Sequence, residues 1–303
     1  MKAPDTHTQF RTTDIDEICD WERAQGIESR RRQLSRGARS YEADFLEFQD
    51  LLVWRYRDPH RLLHEFALPK GTVEICFTLC PEEVAWRGST LDGSLVAIHL
   101  GGESYDSLVP SGSLHFGIVM PESGETFHRL LDASRLRRGA VATVPRRSLE
   151  LFFSDLDGLL PGLQSGTNAA ALPLLLDRCH EIASLAFEQR SDVSSGPNMP
   201  LVYSAVDLIR DRLREPMTVA NIAGELNVNR RTLERAFYRH FGATPYQFMI
   251  VERLHHARGL LREGNRSVLD CLHQSGFEDA SRFSSMYSRQ FGELPSETKR
   301  NSN

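Results

Sequence analysis

The last 90 residues of the chain contain one pattern written twice. Leu233, Phe237, Phe241, Gly242 and Pro245 recur as Phe283, Tyr287, Phe291, Gly292 and Pro295, every pair 50 positions apart, and Arg239 and Arg289 match at the same offset. Upstream, Val219, Ile222 and Ala223 match Val268, Cys271 and Leu272 at an offset of 49, so one extra residue sits near Glu278. A skeleton used twice argues for one supersecondary unit in two copies. Its apolar spacing is helical rather than alternating, which removes strands from this third of the chain.

Each copy reads as helix, tight turn, helix. In the first, Thr218 caps a helix to about Leu226, Asn227 takes the turn, and a second helix runs from about Asn229 to Phe241. In the second, Ser267 caps a helix ending near Ser275, Gly276 takes the turn, and Asp279 caps a helix to about Phe291. Asn and Gly suit these turns because the backbone there must pass through a left-handed conformation. Two helices joined in this way form a helix-turn-helix, whose second helix enters the DNA major groove.

The side chains of the second helices fit that role. In the first copy Leu233, Ala236, Phe237 and Phe241 mark an inner side, leaving Arg230, Arg231, Thr232, Glu234, Arg235 and Arg239 outside. Arginine matches guanine N7 and O6, and phosphates, better than any other side chain. In the second copy Phe283, Met286 and Tyr287 face inward, and Ala280, Ser281, Arg282, Ser285 and Arg289 remain for DNA. Short residues there let a helix approach base edges closely. A competing reading makes these arginines a solvated face balanced by Glu234 and Glu278. Charge favours DNA: residues 201–303 carry 15 Lys plus Arg against 12 Asp plus Glu, so the first 200 residues hold −8 of a whole-chain −5.

Residues 201–299 resemble the DNA-binding domain of the AraC/XylS family. The stretch Ile222–Phe248, IAGELNVNRRTLERAFYRHFGATPYQF, is similar to the family's first motif, and Cys271–Glu297, CLHQSGFEDASRFSSMYSRQFGELPSE, to its signature region. Two positions depart: Leu272 stands where the family has a small residue, and Cys271 where it has a large aliphatic one. The resemblance implies a connecting helix over about Pro245–Leu261 and recognition helices in successive major-groove segments. By motif position it implies Arg231, Arg235 and Arg230 as base readers in the first helix, and Ala280, Ser281, Arg282 and Ser285 in the second. It also implies a promoter or operator as partner, together with RNA polymerase.

The first half of the chain reads differently. A short helix is expected over Thr13–Gln25, capped by Thr13 or Asp14. From about Phe45 to Phe153, short alternating runs are separated by turn signals such as Leu91-Asp92-Gly93-Ser94 and Pro110-Ser111-Gly112. Leu46, Phe48, Leu52, Trp54 and Tyr56 share one parity, and Val73, Ile75, Phe77 and Leu79 alternate with Glu74, Cys76, Thr78 and Cys80. Such spacing suggests a small sandwich or barrel. The second parity, with Glu74, Cys76, Thr78, His99 and His115, offers polar groups that could line a ligand cavity. Between Asn168 and Gln189 the period turns helical, with a seam of Leu172, Leu175, Cys179, Ile182 and Ala186 that either packs on its own domain or forms a dimer interface. Ser191–Pro200, SDVSSGPNMP, reads as a linker.

The expected fold is therefore α+β. Residues 1–166 form a strand-rich domain, which the AraC/XylS resemblance implies is a cupin-like sensor or dimerisation domain; 167–200 form a helix and linker with a possible dimerisation role; 201–303 form an all-α domain with tandem helix-turn-helix units. The opening TTDIDEICDWERA and the GSLVAIHLGGESYDSLVPSGSLHFGIVM stretch are similar, at scattered positions, to the subgroup containing ethanolamine-utilisation regulators, which leaves the effector unidentified. The expected function is sequence-specific transcription regulation, as an activator and homodimer responding to a small molecule.

Other classes find less support. A cupin metalloenzyme fused to a DNA-binding tail needs clustered ligands, but His99 and His115 are single, and His60, His64 and Glu65 do not form H-E-x-x-H. No catalytic motif, cofactor or metal site is expected, and the chain is not expected to be an enzyme. A regulator controlled by a protein partner, without a small-molecule effector, stays open. The five cysteines are scattered and odd in number, as for reduced thiols. With no apolar run of membrane-spanning length and no signal-peptide pattern, a cytoplasmic, nucleoid-associated location without membrane contact is expected.

Overall fold

A computed structural model describes residues 4–86, 89–130, 140–168, 170–188 and 199–301. The chain mixes sheet and helix and divides into two compact units. One comprises residues 1–31, 40–59 and 64–194; the other comprises 32–39, 60–63 and 195–303. Of the expected linker, residues 191–198 lie outside the described residues, and Met199 and Pro200 open a helix.

In chain order the strand-rich part has β1 (Thr6–Thr12), α1 (Ile15–Ala24), β2 (Glu28–Gln33), β3 (Tyr41–Phe48), β4 (Leu51–Asp58), β5 (Leu62–Ala67) and β6 (Thr72–Leu79). It continues with β7 (Val84–Trp86), β8 (Ser89–Leu91), β9 (Ser94–Leu100), β10 (Ser104–Val109), β11 (Ser113–Pro121), α2 (Glu125–Leu130), β12 (Val141–Thr143), α3 (Arg146–Ser165) and α4 (Ala171–Glu188). The strands form a seven-stranded sheet of order β1-β3-β4-β11-β6-β9-β12 and a five-stranded sheet of order β2-β5-β10-β7-β8.

The central strand β6 is covered on both faces. Its odd residues Val73, Ile75, Phe77 and Leu79 join Val96, Ile98, Phe116 and Ile118 in a core shared with Leu149, Phe152, Leu156 and Leu160 of α3. Its even residues face the other way. Directly opposed residues on antiparallel strands share a face, so the register Glu74↔His99, Cys76↔Ala97 and Thr78↔Leu95 gathers one set, and Cys76↔Gly117 and Thr78↔His115 extends it to β11. The register His115↔Tyr56, Gly117↔Trp54 and Ser113↔Asp58 carries it on to β4.

Several expectations change here. The strand region begins earlier than Phe45, with β1 and β2 already in place, and ends at Thr143; Phe152 and Phe153 are helical and belong to α3. Helix α2 was not anticipated. The single parity assigned to Leu46, Phe48, Leu52, Trp54 and Tyr56 is split. Leu46 pairs with Val53 and Phe48 with Leu51, so even positions on β3 share a face with odd positions on β4. The tight connection between the two strands reverses the parity. Of the two caps weighed for α1, Asp14 provides it, accepting from the Asp16 N–H at 3.0 Å. The α4 seam is consumed internally: Leu172, Leu175, Cys179, Ile182 and Ala186 are all buried in the same core as β6 and α3. It is therefore not available as a dimer interface.

The remaining helices are α5 (Met199–Asp211), α6 (Val219–Glu225), α7 (Arg230–Phe241), α8 (Pro245–Arg262), α9 (Val268–Gln274), α10 (Ala280–Phe291) and α11 (Pro295–Asn301). No helix among the described residues is long and apolar enough to cross a membrane.

Candidate nucleic-acid interface and an enclosed cavity

The two helix-turn-helix copies are built by the same local devices. Thr218 and Asn221 form a reciprocal cap on α6, as Ser267 and Asp270 do on α9. In each pair the hydroxyl accepts the third residue's N–H, and that residue's side chain accepts the cap's own N–H. The turns then follow one hydrogen-bond pattern. The Asn227 N–H reaches the Gly224 carbonyl at 3.1 Å and the Val228 N–H the Ala223 carbonyl at 2.9 Å; Gly276 and Phe277 reach His273 and Leu272 at 3.0 and 3.2 Å. This double closure ends a helix through a left-handed residue. Asn227 (φ 54°) and Gly276 (φ 74°) adopt it, and Asn227 is the one non-glycine residue with positive φ among those described.

The second helices are aimed by their own caps. The Asn229 side chain accepts from the Thr232 N–H at 2.8 Å, and the Asp279 carboxylate from the Arg282 N–H at 2.7 Å. Leu233, Ala236, Phe237 and Phe241 anchor α7 in the interior, and Phe283, Tyr287 and Phe291 anchor α10, with Met286 half-buried beside them. All ten residues expected to meet DNA lie on the opposite, exposed sides: Arg230, Arg231, Thr232, Arg235 and Arg239 on α7, and Ala280, Ser281, Arg282, Ser285 and Arg289 on α10. Arg230 is partly spoken for, since its guanidinium donates to Glu234 at 2.8 Å one turn on. Arg282 donates to the Tyr246 hydroxyl at 2.9 Å. The departures at Cys271 and Leu272 are both fully buried, so they trade volume within the core and touch no exposed position.

One positioning residue escaped the sequence reading. Arg253, buried on α8, donates to three backbone carbonyls: Leu213 at 2.9 Å, Gly276 at 3.1 Å and Glu215 at 2.6 Å. It ties the connecting helix to the turn of the second copy and to the segment before the first. Burial lowers its affinity for its proton, and the three carbonyls supply the compensation a buried cation requires. Nothing in its sequence neighbourhood separates it from a solvated helix arginine.

The strand-rich unit contains a cavity of about 60 Å³, several times the roughly 10–15 Å³ that one water occupies on the same measure. Glu74, Cys76, Thr78, His99 and His115 all line it, with Trp54, Tyr56 and Asp58 of β4, Glu22 of α1, Arg31 of β2, and His64 and Phe66 of β5. Arg31 and Glu22 form a buried two-point ion pair, at 2.5 and 3.0 Å, to which the Tyr56 hydroxyl adds a short hydrogen bond. The Arg31 guanidinium also lies 4.7 Å over the Tyr56 ring. Glu74 accepts from the Trp54 indole at 2.8 Å and lies 2.5 Å from His99 Nδ1.

Asp58 is served differently. His115 Nε2 lies 3.4 Å from its carboxylate, and Nε2 makes no hydrogen bond. His115 Nδ1 lies 3.0 Å from the Thr78 hydroxyl. Burial raises Asp58 to about 7 despite the opposing pull of Arg31, and lowers His115 to about 3. Cys80 is raised to about 12, and Cys76 well above its ordinary range, chiefly by burial, which keeps both thiols protonated near neutral pH. Among the described residues, no group of three or more His, Cys, Asp or Glu side chains is arranged to hold a metal ion.

Comparison with known proteins bears on the helical region. The helix-turn-helix domain family matches residues 222–301. The HTH-type transcriptional regulator ArgR of Pseudomonas aeruginosa is 34% identical over 104 residues, which is 34% of this chain and 32% of that protein. The HTH-type transcriptional activator RhaS of Enterobacter sp. is 33% identical over 91 residues, covering 30% of this chain and 33% of RhaS. Among solved structures, an AraC-type transcriptional regulator from Chromobacterium violaceum is 31% identical, covering 35% of this chain and 94% of that one, with a TM-score of 0.34. The matched region thus spans about a third of the length of these two regulators. By the family match, these relatives and its duplicated helix-turn-helix, the C-terminal part of the chain is a helix-turn-helix domain similar to that of AraC/XylS-family transcriptional regulators.

Proposed function

We propose that the protein is a sequence-specific transcription activator that binds double-stranded promoter DNA through α7 and α10 and responds to a small molecule held in its strand-rich, cupin-like unit. The observation that carries the DNA-binding half is the repetition of one turn geometry with an exposed helix behind it in each copy. Arg231 and Arg235 on α7 and Ser281, Arg282 and Ser285 on α10 are the base readers; Arg239 and Arg289, farther along each helix, meet phosphates. A reader of bases confers preference at one position, whereas a phosphate contact weakens all sequences alike and lowers the salt dependence. Homodimerisation and contact with RNA polymerase complete the reading, the dimer using a surface other than the α4 seam.

The experiment is selection of bound sequences from a random pool, followed by salt titration of binding to the selected site. A two-part motif spanning successive major-groove segments supports the reading. Uniform binding to all duplexes contradicts it.

The cavity, apolar over most of its wall with a few polar groups among the apolar ones, favours small-molecule control over control by a protein partner. Apolar and aromatic walls, here with Phe45, Trp54, Tyr56 and Phe66, and a few convergent polar groups are the usual make-up of a small-ligand pocket, and a cavity without a ligand role would normally be filled by the sheets' own side chains.

A further inference from the structure

Tyr238, in the third turn of α7, is 68% exposed, more than any other large apolar or aromatic side chain among the described residues. The helix around it is firmly seated. Phe237 and Phe241 are buried, and the Tyr238 carbonyl accepts the Gly242 N–H at 2.8 Å to close the last turn. The direction in which the ring leaves the backbone is therefore set by the helix.

That direction is shared with the arginines read as base contacts. Tyr238 stands seven residues after Arg231 and three after Arg235. At 3.6 residues per turn it falls within about 20° of Arg231 around the helix axis and about 10 Å farther along it, with Arg235 between them in height. All three are exposed. The second copy carries the same line, 50 positions on, as Ser281, Ser285 and Ser288. Every long side chain of α7 is a serine there. Ser288 is half-buried, and its hydroxyl turns back to the Ser285 carbonyl at 3.3 Å. At the level of Tyr238, α7 projects a long side chain and α10 projects none.

A recognition helix meets base edges with its N-terminal residues. About 10 Å farther on, a distance close to the roughly 12 Å width of the major groove, a side chain on the same line meets the groove wall of sugar and phosphate. Tyrosine suits that wall. Its ring packs on deoxyribose while its hydroxyl donates to a phosphate oxygen. Arg231, Arg235 and Arg239 on the same helix are all exposed, and this positive surround favours a polyanion over an apolar protein surface as the cover of the ring.

We propose that Tyr238 is a DNA contact of α7, its hydroxyl donating to one backbone phosphate at the edge of the groove segment read by Arg231 and Arg235, with no counterpart in the second unit. This rests on the reading of α7 as a recognition helix and adds a residue that fixes how the helix is seated. A neutral side chain adds affinity without displacing a counterion, so the contact differs from that of an arginine in leaving the salt dependence alone.

The test uses full-length protein and a duplex carrying the sequence selected from a random pool, unmodified or with one uncharged methylphosphonate at each backbone position in turn. Tyr238→Phe is expected to bind the unmodified duplex roughly tenfold more weakly, the loss of one hydrogen bond to a charged group, with the salt slope unchanged. At one position in the half read by α7, the methylphosphonate should weaken the unmutated protein more than the variant, because both changes remove the same contact and their effects do not add. Ser288→Ala should show no such pairing in the other half. Additive losses at every position, a changed salt slope, or a Tyr238→Phe variant that binds as tightly as the unmutated protein overturns the proposal. So does a Tyr238→Ala variant that binds DNA normally but fails to activate transcription with purified RNA polymerase, the result expected of a protein-binding surface. These outcomes leave the reading of α7 standing. A random pool that yields no selected sequence with the unmutated protein overturns that reading and this proposal with it.

Discussion

The guanidinium of Arg282, in the first turn of α10, donates to the hydroxyl of Tyr246, in the first turn of α8, at 2.9 Å. A side chain read from the motif as a contact to bases is thus held by the helix that joins the two recognition units. Tyr246→Phe removes the acceptor and keeps the ring. We expect it to weaken specific DNA binding by roughly 0.5–1.5 kcal/mol, the usual net value of one hydrogen bond, with the change confined to the bases read by α10. Binding to site variants altered in one half at a time measures this. Equal losses in both halves would show that Tyr246 acts on the domain as a whole.

Arg235 and Arg230 share a helix but not an environment. Arg230 is bridged to Glu234 at 2.8 Å and is well exposed. Arg235→Ala should relax preference at one base pair by roughly 1–3 kcal/mol if the contact is bidentate to guanine. Arg230→Ala should lower affinity for every sequence by a similar small amount, since freeing it from an exposed pair costs little. A base-specific loss at Arg230 and none at Arg235 would reverse these roles.

Asn227 and Gly276 occupy the same place in the two turns, yet substitution should separate them. Asn227→Ala places an ordinary residue at φ 54°, a strain of about 1–2 kcal/mol. Gly276→Ala meets the same strain, and its new Cβ would also sit 2.4 Å from the Leu213 carbonyl oxygen and 3.1 Å from the Arg253 guanidinium carbon. The second loss should therefore exceed the first by at least about 1 kcal/mol, because the Arg253 clamp has to move. Urea unfolding of the two variants provides the comparison; equal losses would mean that the clamp yields freely.

These turns were legible because everything that makes them is local. Caps, left-handed residues and the apolar stripe all lie within a few positions of one another, and duplication made each copy a check on the other. The cavity was half legible. The alternation of Glu74, Cys76 and Thr78 placed them on one face of a strand, and His99 and His115 join them through the register of β9 and β11. Asp58, Glu22 and Arg31 were not visible. They reach the cavity from β4, α1 and β2, and no period within one segment reports which strand will lie opposite. The parity error across β3 and β4 has the same origin: the face of Trp54 and Tyr56 depends on the length of a turn. Arg253 was hidden for a related reason, because its carbonyl partners lie 23 to 40 residues away.

Gly117 shows how closely the cavity wall is fitted. A Cβ there would stand 2.3 Å from the Trp54 ring, whose indole N–H donates to Glu74. Gly117→Ala should therefore displace Trp54 and cost roughly 1–3 kcal/mol through overpacking. It should also alter Trp fluorescence and weaken effector response while DNA affinity in the absence of effector is retained. Unchanged stability and fluorescence would show that the ring moves without consequence.

Asp58 makes the strand-rich unit sensitive to pH in a direction unusual for a carboxylate. Burial, opposed by Arg31 and reinforced by Glu22, raises it to about 7, against about 3.9 in an unfolded chain. The folded state holds the proton more tightly, so the associated stability is fully present below about pH 4 and is lost as pH rises through 7. Three pH units correspond to roughly 4 kcal/mol over that window. The groups facing Asp58 are Arg31 from β2, Glu22 from α1 and His115 from β11, with Cys80 following β6; His115 titrates near 3 and Cys80 near 12, both outside the window. Asp58→Asn should therefore gain stability relative to the unmutated protein as pH is raised from 5 to 8, by roughly two-thirds of that amount, because only the two units from pH 5 to 7 fall inside the window. Urea unfolding of both proteins at the two pH values gives the difference directly. If their stabilities run parallel, Asp58 is already ionised at pH 5 and burial does not govern its charge.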